Sequence, residues 1–259
     1  MKNWHTLAQK NIWVTGGAGY LGSAITRALD AAGARTLCLD LPGKAEALIR
    51  QHDLRLTTAA SFDLTDVAGL PRFIEQCAHT HGVPDGLVHL AFASSAGQRL
   101  EELTAGDFQQ TFADAVSPAF VLSRGVAQLM KTRGSGSVVL FASMYGMVAP
   151  DPRVYREPMT PNPIDYGASK AAVLQLARYL AAHYGPSGIR FNCVTPGPFP
   201  NPAIQASHPG FIEELRRKTM LGRIGTSSEV VGPTLFLLSD SAAFVTGHSL
   251  VVDGGWTAW

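Results

Sequence analysis

A tyrosine and a lysine stand four residues apart in the segment Tyr166-Gly-Ala-Ser-Lys170. The following residues, 171–183, are rich in Ala and Leu, which favour a helix, and residues at i and i+4 lie on the same helix face. A nearby ammonium group favours the phenolate and lowers the pKa of a Tyr from its usual value of about 10. Tyr166 is therefore predicted to donate and accept a proton at neutral pH, although a solvated helix also carries such pairs by chance.

A glycine-rich turn near the N-terminus is typical of a dinucleotide-binding site. The segment Thr15-Gly-Gly-Ala-Gly-Tyr-Leu-Gly22 follows a short apolar run and opens a predicted helix over 20–32. Gly16, Gly19 and Gly22 would allow the tight turn, the close approach of a pyrophosphate and the close packing of the helix on the strand. A purely structural turn is the alternative, but the strand before it and the helix after it favour nucleotide binding.

Two acidic residues follow later strands. Asp40 ends the second predicted strand, where its carboxylate can accept hydrogen bonds from ribose hydroxyls and would repel the additional phosphate of NADP. No Lys or Arg occurs at 41–43, and Arg35 lies at the opposite end of the strand, so NAD(H) is predicted in preference to NADP(H). Asp63 is a candidate adenine contact, or alternatively the N-cap of the helix that follows.

Strand-like and helix-like segments alternate along the whole chain. The predicted strands cover 11–15, 36–39, 57–61, 86–90, 137–142, 190–194 and 249–252. The predicted helices cover 20–32, 44–51, 103–133 and 166–183, with further helices in the remaining gaps. Continuous apolar strands separated by helices indicate a parallel sheet covered on both faces. The prediction is an α/β fold, a Rossmann-type doubly wound parallel sheet of about seven strands flanked by helices.

No repeat or charge run marks a second domain, so residues 1–259 are predicted to form a single NAD(P)-binding domain. One segment, 147–165, breaks the alternation because five prolines exclude a regular helix or central strand. These prolines are Pro150, Pro152, Pro158, Pro161 and Pro163, and Glu157 lies among them. A second variable segment, 199–220, is predicted to form a mobile substrate lid.

Composition narrows the class of protein. The net charge of +1 gives no reason to expect nucleic acid or an anionic membrane surface as a partner. The first residues contain no apolar signal core, and no run reaches about 18 apolar residues, so a cytoplasmic protein is expected. Cys38, Cys77 and Cys193 are predicted to be buried single thiols. His79 and His81 have no further ligand at suitable spacing, so no metal site is expected.

With these features assembled, the chain resembles the short-chain dehydrogenase/reductase family over nearly its whole length. Further matches are Asn192-Cys-Val-Thr-Pro196-Gly197 and Val251-Val-Asp-Gly-Gly255. The resemblance implies that Ser143 steadies the substrate oxygen, Tyr166 transfers the proton, and Lys170 lowers the tyrosine pKa and holds the nicotinamide ribose. The implied cofactor-binding residues are Gly16, Gly19, Tyr20, Leu21, Gly22, Asp40, Asp63, Leu64, Ala91, Tyr166, Lys170, Pro196, Gly197 and Phe199.

The chain departs from the family pattern in four places. The glycine spacing and the segment His89-Leu-Ala-Phe92, where Asn-Asn-Ala-Gly is usual, are closer to the longer two-domain branch. The family's helix-four Asn, which helps to relay protons, aligns with Ala115, and the adjacent Asp114 would point about 100° away on a helix. The separation of Ser143 and Tyr166 along the sequence is longer than usual in the short branch, because of the proline-rich segment. Length and the C-terminal Val-Asp-Gly-Gly nevertheless favour the short single-domain branch.

The function predicted from the sequence is NAD(H)-dependent interconversion of a secondary alcohol and a ketone. A sugar, polyol or hydroxy acid is mildly preferred as substrate, and Arg153, Tyr155 and Arg156 could bind a polar or anionic one. The alternatives are a sugar-nucleotide epimerase or dehydratase with tightly bound NAD, and a weakly active or silent NAD-binding protein, suggested by Ala115. A homotetramer or homodimer is expected from the resemblance, with the helices over 103–133 and 166–183 at one interface.

Overall fold

Seven parallel strands form one sheet across the residues that the structure, a computed structural model, describes (6–92, 98–156 and 159–259). The strands are β1 (Asn11–Thr15), β2 (Arg35–Asp40), β3 (Thr57–Ser61), β4 (Gly86–His89), β5 (Gly136–Phe141), β6 (Ile189–Pro196) and β7 (Ser249–Val252). Their order is β3-β2-β1-β4-β5-β6-β7. This arrangement confirms the predicted Rossmann-type sheet. Residues 1–5, and Glu157 and Pro158 of the predicted insertion, lie outside the described residues.

Helices connect the strands and cover both faces of the sheet. They are α1 (Tyr20–Ala31), α2 (Lys44–His52), α3 (Leu70–His81), α4 (Ala105–Lys131), α5 (Ile164–Tyr184), α6 (Pro202–Ser207), α7 (Pro209–Lys218) and α8 (Val231–Leu238). Successive strand residues point to opposite faces, so Trp13 packs with α3, α4 and α5, whereas Val14 packs with α1 and α8. Both faces are therefore buried, which explains why the strands are continuously apolar.

The strand order reverses at β1, which pairs with β2 on one side and β4 on the other. Thr15, the last residue of β1, lies opposite both Leu39 and His89. In an open parallel sheet, ligands bind in the crevice beyond the carboxyl ends of the strands at such a reversal. The glycine-rich turn and the residues after β4 meet at this position.

The proline-rich segment 147–165 is largely irregular across its described residues, 147–156 and 159–165. Its regular parts are a 3-10 turn over Pro152–Val154 and the first two residues of α5, which begins at Ile164. The first turn of this helix contains Asp165, a favourable position for a negative charge, and Thr111 of α4 donates a hydrogen bond of 2.7 Å to its carboxylate. These contacts start the helix immediately after the last proline of the segment.

Candidate active site

The glycine-rich turn leads from β1 directly into α1. Gly16 has a φ of +68°, a conformation that L side chains rarely adopt, and its amide donates to the Leu39 carbonyl at 2.8 Å. Gly19 occupies the N-cap of α1, where no side-chain cap is found among the described residues. The first amides of α1 therefore point outward from a positive helix end, an arrangement that suits a phosphate.

Two further close approaches require glycine in this turn. A Cβ at Gly16 would lie 2.8 Å from the amide nitrogen of Ala91, which follows β4. A Cβ at Gly22 would overlap the carbonyl oxygen of Gly16. The turn is therefore packed against α1 and against the residues that follow β4. Gly16 and Gly19 of the turn also line an open cleft.

This first cleft has a volume of about 340 Å³ and lies at the carboxyl ends of β1, β2 and β4. The predicted cofactor contacts that line it are Gly16, Gly19, Asp40, Asp63, Leu64 and Ala91. Of the others, Tyr20, Leu21 and Gly22 form the first turn of α1, and Pro196 ends β6. The remaining predicted contacts, Tyr166, Lys170, Gly197 and Phe199, are described below.

Asp40 is held in place by two backbone amides. Its carboxylate accepts hydrogen bonds from the amides of Ala18, at 3.0 Å, and Leu41, at 2.9 Å. Residues 41–43 contain no basic side chain, but Lys44, the first residue of α2, lines the same cleft. A carboxylate and an ammonium group therefore both border the position where a ribose would bind.

Asp63 lies in a local turn. Its carboxylate accepts hydrogen bonds from the amide of Thr65, at 3.0 Å, and from the Thr65 hydroxyl, at 2.8 Å, and these bonds lower the pKa of Asp63. The alternative that Asp63 caps the following helix is wrong, because Gly69 occupies the N-cap of α3. The carboxylate remains exposed at the edge of the first cleft.

His89, which the sequence singled out only as a departure from the family pattern, is buried in the wall of the first cleft. Its Nδ1 lies 2.7 Å from the Thr15 hydroxyl. The pKa of His89 falls to about 3, chiefly because the ring is buried and secondarily because of the nearby charge on Lys170. A neutral imidazole therefore links the ends of β1 and β4.

Ser143 stands just beyond the end of β5. Its hydroxyl accepts a hydrogen bond of 3.2 Å from the amide of Tyr145, so it satisfies the turn that follows the strand. The same side chain also reaches Tyr166, and this hydrogen bond lowers the tyrosine pKa. Ser143 therefore faces the phenol that was predicted to transfer a proton.

Tyr166 and Lys170 share one face of α5, as predicted from their spacing. The Lys170 ammonium lies 5.8 Å from the centre of the Tyr166 ring and donates a hydrogen bond of 3.0 Å to the Phe141 carbonyl. It also lies 4.5 Å from the centre of the Phe92 ring, which contacts Tyr166 edge-on at 5.1 Å. Phe92, which stands where the family pattern has Gly, thus contacts both Tyr166 and Lys170.

Burial shifts the pKa values of both Tyr166 and Lys170, and the shift of Tyr166 is opposite to the one predicted from the sequence. Burial is the largest influence on Tyr166 and raises its pKa, outweighing the hydrogen bond from Ser143, whereas a lowering by Lys170 was predicted. Burial also lowers the pKa of Lys170, to about 8. Enclosure penalises the charged form of each group, so at neutral pH the phenol is neutral and the amine is mostly protonated.

Ala115 is buried in α4, where the family's Asn would stand. The neighbouring Asp114 lines the first cleft and accepts a hydrogen bond of 2.8 Å from Gln110. The neighbouring helix position therefore directs a carboxylate toward the first cleft. The helix spacing predicts only that Asp114 points away from the direction of Ala115, and the packing of α4 decides that this direction is the first cleft.

A second cleft, of about 360 Å³, reaches Ser143 and Tyr166. Phe199 and Gly197 line it, together with residues of the proline-rich segment and of the predicted lid, 199–220, which contains α6 and α7. Phe211 of the predicted lid lines the cleft, whereas the side chain of Asn201 accepts a hydrogen bond from the Ile204 amide at the start of α6. The second cleft is therefore positioned to admit a small molecule to Ser143 and Tyr166.

Comparison with known proteins agrees with this geometry. A model of the short-chain dehydrogenase/reductase family, described as enoyl-(acyl carrier protein) reductase, matches residues 17–257. The chain is 31% identical to 2-(S)-hydroxypropyl-CoM dehydrogenase 3 of Xanthobacter autotrophicus, over 97% of this chain and 98% of that protein. It is 32% identical to galactitol 2-dehydrogenase (L-tagatose-forming) of Cereibacter sphaeroides, over 95% and 94%.

A crystal structure of a short-chain dehydrogenase from Leptospira borgpetersenii with bound NAD⁺ superposes with a TM-score of 0.86. The two chains are 30% identical, and the match covers 99% of this chain and 96% of that one. Among the described residues, no helix has the length and apolar character needed to cross a membrane. Because the family model and these relatives match almost the entire length, the chain belongs to the short-chain dehydrogenase/reductase family of oxidoreductases.

Proposed function

We propose that this protein is an NAD(H)-dependent dehydrogenase that interconverts a secondary alcohol and a ketone. The observation that carries the proposal is the convergence of Ser143, Tyr166 and Lys170 where the second cleft meets the carboxyl end of the sheet. Ser143 lies just after β5, whereas Tyr166 and Lys170 lie in α5, and the proline-rich segment separates the two positions. Their proximity supports one proton-transfer site rather than unrelated structural roles.

Each of the three side chains has a distinct task in this mechanism. In the oxidation direction, the Tyr166 phenolate accepts the proton of the substrate hydroxyl, and in the reduction direction the phenol donates it. Ser143 donates a hydrogen bond to the same substrate oxygen and stabilises the charge that develops there. Lys170, buried on the same helix face, would hold the nicotinamide ribose. Positioned acid–base help of this kind contributes about 10²–10⁴ in rate.

The first cleft fits a dinucleotide cofactor. Gly16 and Gly22 let the turn pack closely against Ala91 and against its own backbone, and the uncapped start of α1 supplies amides for a pyrophosphate. Asp40 would hold the adenosine ribose, Asp63 and Leu64 the adenine, and Ala91, Pro196, Gly197 and Phe199 the nicotinamide end. When bound, the nicotinamide supplies hydride transfer, which protein side chains do not provide.

The proposed preference for NAD depends on Asp40. We expect Asp40→Ala to lower kcat/KM for NAD⁺ by about tenfold, because a hydrogen bond to a charged group contributes about 1.5 kcal/mol or more. The same change should raise kcat/KM for NADP⁺, because the repulsion of the additional phosphate is removed while Lys44 remains. The measurement is NADH or NADPH formation at 340 nm with a panel of polyols, sugars and hydroxy acids.

Lys44→Ala is the matched variant on the other side of the same cleft. It should leave NAD⁺ kinetics within about twofold and reduce any use of NADP⁺. A wild-type enzyme that prefers NADP⁺, and loses that preference in Lys44→Ala, would show that the lysine rather than the aspartate selects the cofactor.

The names of the relatives support the proposed substrate class. The galactitol dehydrogenase is a polyol enzyme by its name, which supports a sugar, polyol or related hydroxy acid as the substrate here. The dehydrogenase names of both relatives favour this function over an epimerase or dehydratase that retains NAD. NAD that stays bound through purification, without net NADH formation, would instead favour the epimerase or dehydratase.

A silent NAD-binding protein is the remaining alternative, and Ala115 is the observation that favours it. The family's proton relay through Asn is absent at this position, so protons leaving Lys170 would need another route. NADH binding with no turnover of any substrate in the panel would support this alternative.

We further propose that the protein assembles as a homodimer or homotetramer through α4 and α5. Phe120 on α4, and Ile164 and Tyr179 on α5, are large apolar or aromatic residues that remain exposed in the isolated chain. Light scattering on the purified protein should return two or four times the chain mass of 27.6 kDa, and an alanine at Tyr179 should weaken the assembly. A monomer mass at micromolar concentration would contradict this proposal.

A further inference from the structure

The second cleft has a polar but uncharged wall around the proposed reaction centre. Besides Ser143 and Tyr166, its polar side chains are those of Tyr145, Tyr155, Thr160 and Asn162. Among the described residues that line it, none is an acid, a Lys, an Arg or a His. A carboxylate or phosphate entering this cleft would therefore lose water without gaining a cationic partner, which is costly.

The two arginines that the sequence suggested as anion ligands point elsewhere. Arg153 forms an ion pair of 2.8 Å with Asp151, and Arg156 forms one of 2.5 Å with Glu214. The arginine side chains are 83% and 70% exposed, and neither lines the second cleft. The expectation that these residues bind an anionic substrate is therefore not supported by their positions.

The wall of the second cleft contains two neighbouring phenols, Tyr145 and Tyr155. The hydroxyls of Tyr145 and Tyr155 lie 2.8 Å apart, and both rings pack in the cluster that includes Tyr166. Tyr155 also stacks at a tilt on Phe211 of α7, with ring centres 5.2 Å apart. Burial, and then the neighbouring Tyr155, raise the pKa of Tyr145 well above its usual range, so this phenol stays neutral.

The pair has a defined hydrogen-bonding capacity. Whichever phenol donates within the pair, the other retains a free O–H, and lone pairs remain on both oxygens. A ligand group that both accepts a hydrogen bond from the free O–H and donates one to a phenol oxygen would satisfy the pair, and an alcohol hydroxyl can do both. A carboxylate could only accept, and an alkyl group would leave the phenols without a partner in a buried wall.

We propose that the substrate is an uncharged diol or longer polyol, one hydroxyl of which reacts at Tyr166 while another binds the Tyr145–Tyr155 pair. This inference rests on the dehydrogenase function proposed above and specifies its substrate. Tyr145 and Tyr155 are then residues that determine specificity. They do not transfer the reacting proton.

The test uses three substrates of four carbons: 2,3-butanediol, 2-butanol and 3-hydroxybutyrate. NADH formation is followed at 340 nm for the full-length wild type, Tyr155→Phe and Tyr145→Phe, each of which removes one hydroxyl and keeps the ring. We expect wild type to prefer the diol. Each variant should raise KM for the diol about 3- to 10-fold, the equivalent of one neutral hydrogen bond, with kcat and the 2-butanol kinetics little changed.

Tyr184→Phe is the matched control, because Tyr184 is a buried tyrosine at the far end of α5 that lines neither cleft. It should leave all three substrates unaffected. Since Tyr155 is only partly buried, its variant should fold even if Tyr145→Phe does not. Equal effects of Tyr155→Phe on the diol and on 2-butanol would overturn the inference, as would efficient use of 3-hydroxybutyrate.

The panel of alcohols separates the role of the tyrosine pair from the dehydrogenase function. Turnover of alcohols without any preference for the diol would overturn only the role of the tyrosine pair. If no alcohol in this series or in the wider panel gave NADH, the dehydrogenase function would fall and the inference with it.

Discussion

Replacing Tyr166 by Phe is expected to lower turnover by about 10²–10⁴, the range that a positioned acid or base contributes. Only the hydroxyl is removed, so the ring keeps its edge-on contact with Phe92 and its place near Lys170. NADH affinity should therefore change by less than about threefold. Turnover is measured as NADH formation at 340 nm, and NADH affinity by fluorescence titration.

The pH profile provides a second readout of the same residue. Burial raises the pKa of Tyr166, so the phenol is neutral at neutral pH. The phenolate that alcohol oxidation needs therefore becomes populated only as the pH rises. Wild-type oxidation should therefore increase toward alkaline pH, whereas ketone reduction, which needs the neutral phenol, should decrease. In Tyr166→Phe the residual activity should lose this dependence. Activity within a few-fold of wild type, with an unchanged pH profile, would rule out Tyr166 as the proton-transfer residue.

Gly22→Ala should raise the NADH dissociation constant by about 10- to 100-fold. A Cβ at this position would overlap the Gly16 carbonyl oxygen, so the turn must move away from α1. Overpacking of this kind costs about 1–3 kcal/mol, and we expect most of this cost to fall on the geometry that would bind the pyrophosphate, since a 10- to 100-fold change corresponds to about 1.4–2.7 kcal/mol. The thermal midpoint of the protein without cofactor should fall as well.

Gly232→Ala is the matched control for this substitution. Gly232 lies in α8 and lines neither cleft. Among the described residues outside its own stretch of helix, no heavy atom lies within 4 Å of the added Cβ. Alanine favours a helix over glycine by up to about 1 kcal/mol, so this variant should be as stable as wild type or slightly more so. If Gly22→Ala binds NADH as tightly as Gly232→Ala does, the turn tolerates a side chain at this position. That result would count against the proposed role of the turn in binding the cofactor.

The strands could be predicted because the signals that specify them are local. The predicted strands 11–15, 57–61 and 249–252 have the same bounds in the structure. The sixth strand was predicted over 190–194 but extends to Pro196, because Thr195 and Pro196 pair with β7, which is far away in the sequence. Apolar runs mark the core of a strand, whereas its ends depend on the neighbouring strand.

Part of the candidate site could also be predicted, since its residues stand in short motifs. The turn from Thr15 to Gly22 and the Tyr166–Lys170 pair each lie within one element, where backbone geometry decides which residues share a face. Lys44, His89 and Asp114 were not assigned to the site. Each lines the first cleft through the packing of a different element, and no spacing in the sequence signals that approach.

The sequence by itself determined the order of strands and helices, the conformation of the glycine-rich turn and the adjacency of Tyr166 and Lys170. These features depend on side-chain periodicity and on backbone preferences over a few residues. Only the tertiary structure decided that burial raises the pKa of Tyr166, that Arg153 and Arg156 form ion pairs outside the second cleft, and that Tyr155 meets Tyr145. Burial, charge pairing and long-range hydrogen bonds arise when separate segments pack together, so they depend on the whole fold.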